Sequence, residues 1–264
     1  MGKVNAEAKK TYAEKVKVYK QQIEQILQRE KSLLAVVDKS DTTQAYKLIT
    51  LCEDRLNLAA HYLLLNRISL SMLGIKNEAF LNDARKSCYE SIIHLERIVS
   101  DAVDAPFTDM EEYWALIDEL SDRKRYEILM KLGFTIESVI EGFGENTKWK
   151  WSFVDLNGRY AAVFKNMINF KTIVAGLDPR MEDYQIRYKL LEQAKSQLVK
   201  SADEFRLKYE LSTSRIDDFK TAIKFLSALR RIHLVLGESE GAEDVKRKME
   251  LWKQKMEDDD RKQA

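Results

Sequence analysis

Three histidines, two cysteines and one aromatic-basic run are the residue sets here whose types and spacing could do chemistry. His61, His94 and His233 all fall inside helical patterns. A metal site on helices needs ligands at i, i+3 or i+4 on one face. Glu90 and His94 meet that spacing once, and no second carboxylate-histidine pair completes a two-metal set. Arg97 flanks His94, which fits a solvated or capping role equally well. No metal and no cofactor are therefore expected.

Cys52 lies 22 residues before Gly74 and Cys88 lies 14 after it. On two antiparallel helices joined near Gly74 that offset is roughly 12 Å, too far for a disulfide. Both are expected to be buried free thiols, small core residues without the cationic neighbours that activate a nucleophile. No Gly-Lys-Ser/Thr phosphate loop, no G-x-G-x-x-G after a strand and no G-x-S-x-G occurs. Gly142-Phe143-Gly144 precedes a helix without Lys and Ser/Thr placed to cradle phosphate. The expectation is a protein with no catalytic residues, not an enzyme.

The remaining set is Phe143, Trp149, Trp151 and Phe153, with Lys148 and Lys150 interleaved. Trp149 and Phe153 are read onto one helix face and Trp151 onto another. One reading is core packing at a break between bundles. The other is a protein interface with tryptophan anchors. Stacking on single-stranded nucleic acid would need a wider basic groove. The charge balance, 44 basic against 43 acidic residues, also lacks the excess of a nucleic-acid binder.

The elements that would position these groups are helices. Nine Gly and two Pro in 264 residues lie far below average usage of roughly 7% and 5%. Sandwiches, barrels and doubly wound sheets need many tight turns, so the scarcity argues against all three. A long helix over 5–37 carries Tyr12, Val16, Tyr19, Ile23, Ile26, Glu30, Leu33 and Val37 at alternating spacings of four and three. This is a heptad seam interrupted at Glu30. The seam packs on its own bundle or on a neighbouring molecule, and Tyr12 and Tyr19 are candidate contacts in the second case.

Further helices are predicted over 42–73, 78–103, 109–120, 122–141, 148–175, 181–210, 214–236 and 240–257. Gly74 and Gly237 close helices as left-handed caps, and Asn77 caps the third. Thr108 with Glu111 reads as a capping box, and Ser214 with Asp217 as a capping pair. The tail at 258–262 is expected to fray. The fold class is all-α: an elongated or bent bundle of about nine helices, several near 30 residues. Breaks at 104–108 and 142–147 divide it into a bundle over 1–105 and another over 106–264, with an elbow near 104–147.

Two junctions, Leu73-Gly74 followed by Ala79 and Leu236-Gly237 followed by Ala242, look like tetratricopeptide hairpins. This supports an alternative function as a soluble helical adaptor that binds a partner protein. The start, Met1-Gly2-Lys3-Val4, has no apolar signal region, which predicts a cytoplasmic chain unless a leader has been replaced. No run approaches 18 apolar residues, so membrane insertion is not expected.

The segment Phe143-Gly144-Glu145-Asn146-Thr147-Lys148-Trp149-Lys150-Trp151-Ser152-Phe153-Val154-Asp155-Leu156-Asn157-Gly158-Arg159-Tyr160 is similar to helical proteins of spirochaetes, as are Leu51-Cys52-Glu53-Asp54-Arg55 and Asp104-Ala105-Pro106-Phe107. The sequence resembles their flagellar-coiling proteins, of the FcpA type. The resemblance covers most of the chain and carries no catalytic motif. It implies a bent all-helical sheath subunit on the periplasmic flagellar filament, packed laterally and promoting curvature and motility. The implied partners are the filament core, other sheath proteins and copies of the chain itself in a lattice. Trp149, Trp151, Phe153, Phe143, Tyr12 and Tyr19 are the interface residues expected on that reading.

Overall fold

The computed structural model describes residues 6–36, 43–145 and 147–263. Val37, the last residue of the expected seam, and Asn146, within the break at 142–147, lie outside them. Ten α-helices and no strands are found among the described residues. They are α1 (Ala6–Ala35), α2 (Gln44–Leu73), α3 (Glu78–Val99), α4 (Glu111–Ala115), α5 (Asp122–Phe143), α6 (Lys150–Asn166), α7 (Phe170–Ala175), α8 (Tyr184–Lys208), α9 (Ile216–Val235) and α10 (Ser239–Gln263). The all-α class is as expected, and α1 and α2 each reach 30 residues.

The helices group into two compact units. One comprises Met1–Ile98 with Ile128–Thr147, the other Val99–Glu127 with Lys148–Ala264. This division differs from a single cut at 105/106: the chain changes unit at 98/99, 127/128 and 147/148, and α5 begins in the second unit and ends in the first.

In the first unit, α1 packs along α2. Val16 and Ile23 meet Leu58 and Leu65, flanked by Tyr12, Tyr19, Ile26, Leu27, Tyr62 and Phe80. The heptad seam thus finds its partner within its own chain. Burial on more than one side makes α2 apolar nearly all round, with Leu48, Leu51, Cys52, Leu56 and Leu58 essentially inaccessible. Gly74 at φ 66° ends α2, and Asn77 Oδ1 accepts from the Ala79 and Phe80 amides to start α3. Lys76 Nζ donates to the Phe143 carbonyl at 2.6 Å, a cation at the negative end of α5.

In the second unit, α6 is the central helix, with Phe153, Val154, Leu156, Tyr160, Ala161, Val163 and Phe164 all buried. Gly158 lets it approach its neighbours: a Cβ there would sit 2.5 Å from the Phe205 ring of α8 and 3.3 Å from Phe225 of α9. Helix α10 closes this layer on α9, where Trp252 sits 6.0 Å from Phe219 between ring centroids.

Several sequence expectations are corrected. The helix over 148–175 is two helices, because Asn169 caps α7 by accepting from the Lys171 and Thr172 amides. Residues Phe107–Met110 form a 3-10 turn, and the Thr108 hydroxyl donates to Asp109 instead of building a capping box. At the start of α9 it is the Thr213 hydroxyl that donates to Asp218 at 2.7 Å, with Ser214 left-handed at φ 50°. The acidic tail does not fray: α10 continues through Gln263, supported by Lys255–Asp259 and by the Tyr209 hydroxyl, which donates to Asp259.

Candidate functional site

The aromatic-basic run lies at the start of α6. The helix begins at Lys150, so Trp149 is its capping residue and not part of its face, and the Phe153 amide donates to the Trp149 carbonyl at 3.0 Å. Trp149 and Trp151 are half-buried, whereas Phe143 and Phe153 are 6% and 5% exposed. Phe143 belongs to the first unit and the other three to the second. Lys148 Nζ lies 5.4 Å from the Trp149 ring centroid and Lys150 Nζ 5.0 Å from that of Trp151, both cation–π distances. The α6 start therefore presents two partly accessible indoles, each beside an exposed ammonium, next in sequence to the buried Phe153. Such amphipathic rings suit a protein contact that is partly wet.

Tyr12 and Tyr19 are half-buried on α1, and Tyr19 meets the His61 ring edge-on at 6.2 Å. Their apolar bodies lie against α2, which leaves only their outer edges for a neighbour.

The ionisable groups single out two clusters that sequence reasoning missed. Glu30, at the seam interruption, is buried, and Arg55 Nε donates to its Oε1 at 2.6 Å. Arg55 also pairs with Glu90, and His94 Nε2 lies 3.8 Å from Glu30. So Glu90 faces Arg55, and the i, i+4 pair with His94 is no ligand set. Burial, then the charges of Arg55 and Arg97, push the His94 imidazole down to about 4. Burial raises the Glu90 carboxyl above its ordinary value. The polar residue at a seam position was the signal for this cluster.

The second cluster sits at the end of α6. Asn166 Nδ2 donates to the Ser100 and Ala102 carbonyls at 2.9 and 3.1 Å, and Trp114 Nε1 donates to the Asn166 carbonyl at 2.9 Å. Lys165 is 2% exposed, and burial outweighs the attraction of Asp104 to push its ammonium down to about 8. Arg231 holds Asp104 at 2.9 Å. Through Asn166, Trp114 and the Asp104–Arg231 pair, the cluster fastens the segment after α3 to α6 and α9.

His61 lies between the Asn57 carbonyl and Gln22, and His233 pairs with Glu238 at 2.5 Å. Cys52 and Cys88 are buried free thiols, as expected, and burial pushes both up to about 12. Among the described residues no group of three or more His, Cys, Asp or Glu is placed to hold a metal ion. No helix among them is long and apolar enough to cross a membrane.

Fold and surface together define an all-α helical-bundle protein in two compact units. The TP0443 family model matches residues 8–260, and the chain belongs to that family, which is of Treponema type and spirochaete-associated. No curated protein matches its sequence.

Proposed function

We propose that this chain is a non-enzymatic structural subunit of a flagellar filament sheath, packing laterally and promoting filament curvature and motility. The observation that carries the reading is membership of a spirochaete-associated family over 8–260. The resemblance of 143–160 to flagellar-coiling proteins lies within that span. The sheath partners are the filament core, other sheath proteins and further copies of the chain, and the location is the periplasmic flagellum. The half-buried Trp149 and Trp151 support it as contact residues, since tryptophans that keep one edge accessible serve as anchors in protein interfaces.

The adaptor reading draws on the left-handed Gly74 and Gly237 hairpins. Those hairpins join helices of 30 and 22 and of 20 and 25 residues, well beyond a 34-residue repeat unit. Helix length thus favours the bundle subunit.

Fractionation of native cells tests the proposal. A sheath subunit co-purifies with isolated filaments and is released only when the sheath is stripped. Recovery entirely in a soluble fraction, with a stoichiometric partner, would replace this reading by the adaptor.

A further inference from the structure

Resting on the sheath reading, we infer that copies of this chain join head to tail, the basic first half of α1 in one copy receiving the acidic end of α10 from the next.

Over 6–20 there are five lysines against two glutamates. Lys9, Lys10, Lys15, Lys17 and Lys20 are all exposed. Tyr12 and Val16 floor an open groove here, with Lys17, Lys20 and Glu24 on its rim. A groove with an apolar floor and a cationic rim selects a helix that carries an apolar residue and, farther along, acids.

The end of α10 has that pattern. Glu257, Asp258, Asp259 and Asp260 run consecutively, and all but Asp259 are exposed. Leu251, 67% exposed, stands two turns before Asp258 on the same face. The Leu251–Asp258 step is about 10 Å of helix and the Tyr12–Lys20 step about 12 Å, so apolar and charged contacts can form together. Cations of the same stretch compete for these acids: Arg261 lies within 4.0 Å of Glu257 and 3.9 Å of Asp258, and Lys255 holds Asp259 at 3.2 Å, which leaves Asp260 and the outer sides of Glu257 and Asp258 for a neighbour.

The two surfaces lie on different helices, α1 and α10, so the contact is heterologous. Such a contact propagates when its rotation does not close, and an open lattice is what a sheath needs. Opposite charges set the register and speed encounter, and salt weakens them.

The test is sedimentation of the full chain over a wide concentration range at low and high salt, with circular dichroism as the folding control. Wild-type protein should grow in mass with concentration, less so at high salt. K17E/K20E and E257K/D258K should each weaken association about tenfold or more, and all four changes in one chain should restore it. A monomer at every concentration, a closed dimer, reversals without effect, or a fourfold variant that stays monomeric would each overturn the inference. Filament co-purification is scored separately. Wild-type protein that binds filaments while the reversals change nothing sinks this contact alone. Self-association through it with no filament binding sinks the sheath reading alone.

Discussion

Arg55 Nε donates to Glu30 Oε1 at 2.6 Å, and this bond joins α2 to α1 at the one place where the apolar seam is interrupted. The Glu30 side chain is 5% exposed and that of Arg55 20%, so the two are far from equal when one is removed. Arg55→Ala strands a buried carboxylate and should cost about 3 kcal/mol. Glu30→Leu should cost less, because Arg55 keeps Glu90 and the seam gains an apolar residue. Denaturant midpoints of the two variants check that order.

The same cluster sets a pH dependence. His94 titrates near 4 when folded and near 6.5 when unfolded. Above 6.5 both states are neutral, and as pH falls toward 4 only the unfolded chain takes the proton, so stability drops through that window. Glu90, raised by burial, acts with the opposite sign around its ordinary 4.5. His94→Gln should therefore flatten the decline between 6.5 and 4 relative to wild type, measured as unfolding midpoint against pH.

Lys165 gives a window on the alkaline side. Its ammonium titrates near 8 folded against 10.5 unfolded, a difference of roughly 3 kcal/mol. Below 8 the penalty of the buried charge is complete, and it is relieved as pH rises to 10.5. Lys165→Met should be the more stable protein at neutral pH, and its advantage over wild type should vanish above 10.5. Thermal unfolding across that range reads the crossing.

Asn166 acts locally. Asn166→Ala removes two donors from the Ser100 and Ala102 carbonyls and should cost about 2 kcal/mol. Hydrogen exchange should rise chiefly over 100–104, while α10 keeps its protection.

Two neighbours on α6 separate surface from core. Trp151→Ala should weaken filament association with helicity intact. Phe153→Ala, at a position 5% exposed, should lose about 3–4 kcal/mol of stability. Co-sedimentation with filaments and circular dichroism distinguish the two.

Much of the helix order was legible because its punctuation is local: Gly74, Gly237 and Asn77 act within a few residues of themselves. The break before α7 was also local, in Asn169, but the apolar stretches 160–164 and 167–168, parted only by Lys165 and Asn166, read as one helix running through it. Glu30 announces a polar interruption without naming Arg55, since a partner 25 residues away is fixed only by helix packing. Trp149 and Phe153 illustrate the same limit: spacing places them on one helix face, yet the helix starts one residue after Trp149 and only Phe153 is buried. The return of α5 from the second unit to the first carries no local signal at all.

The central claim is that this chain is a sheath subunit that shapes a filament. Electron cryotomography of filaments from cells with and without the chain tests it most directly. Loss of the chain should leave filaments thinner and straighter. Filaments of unchanged diameter and coiling would contradict the account.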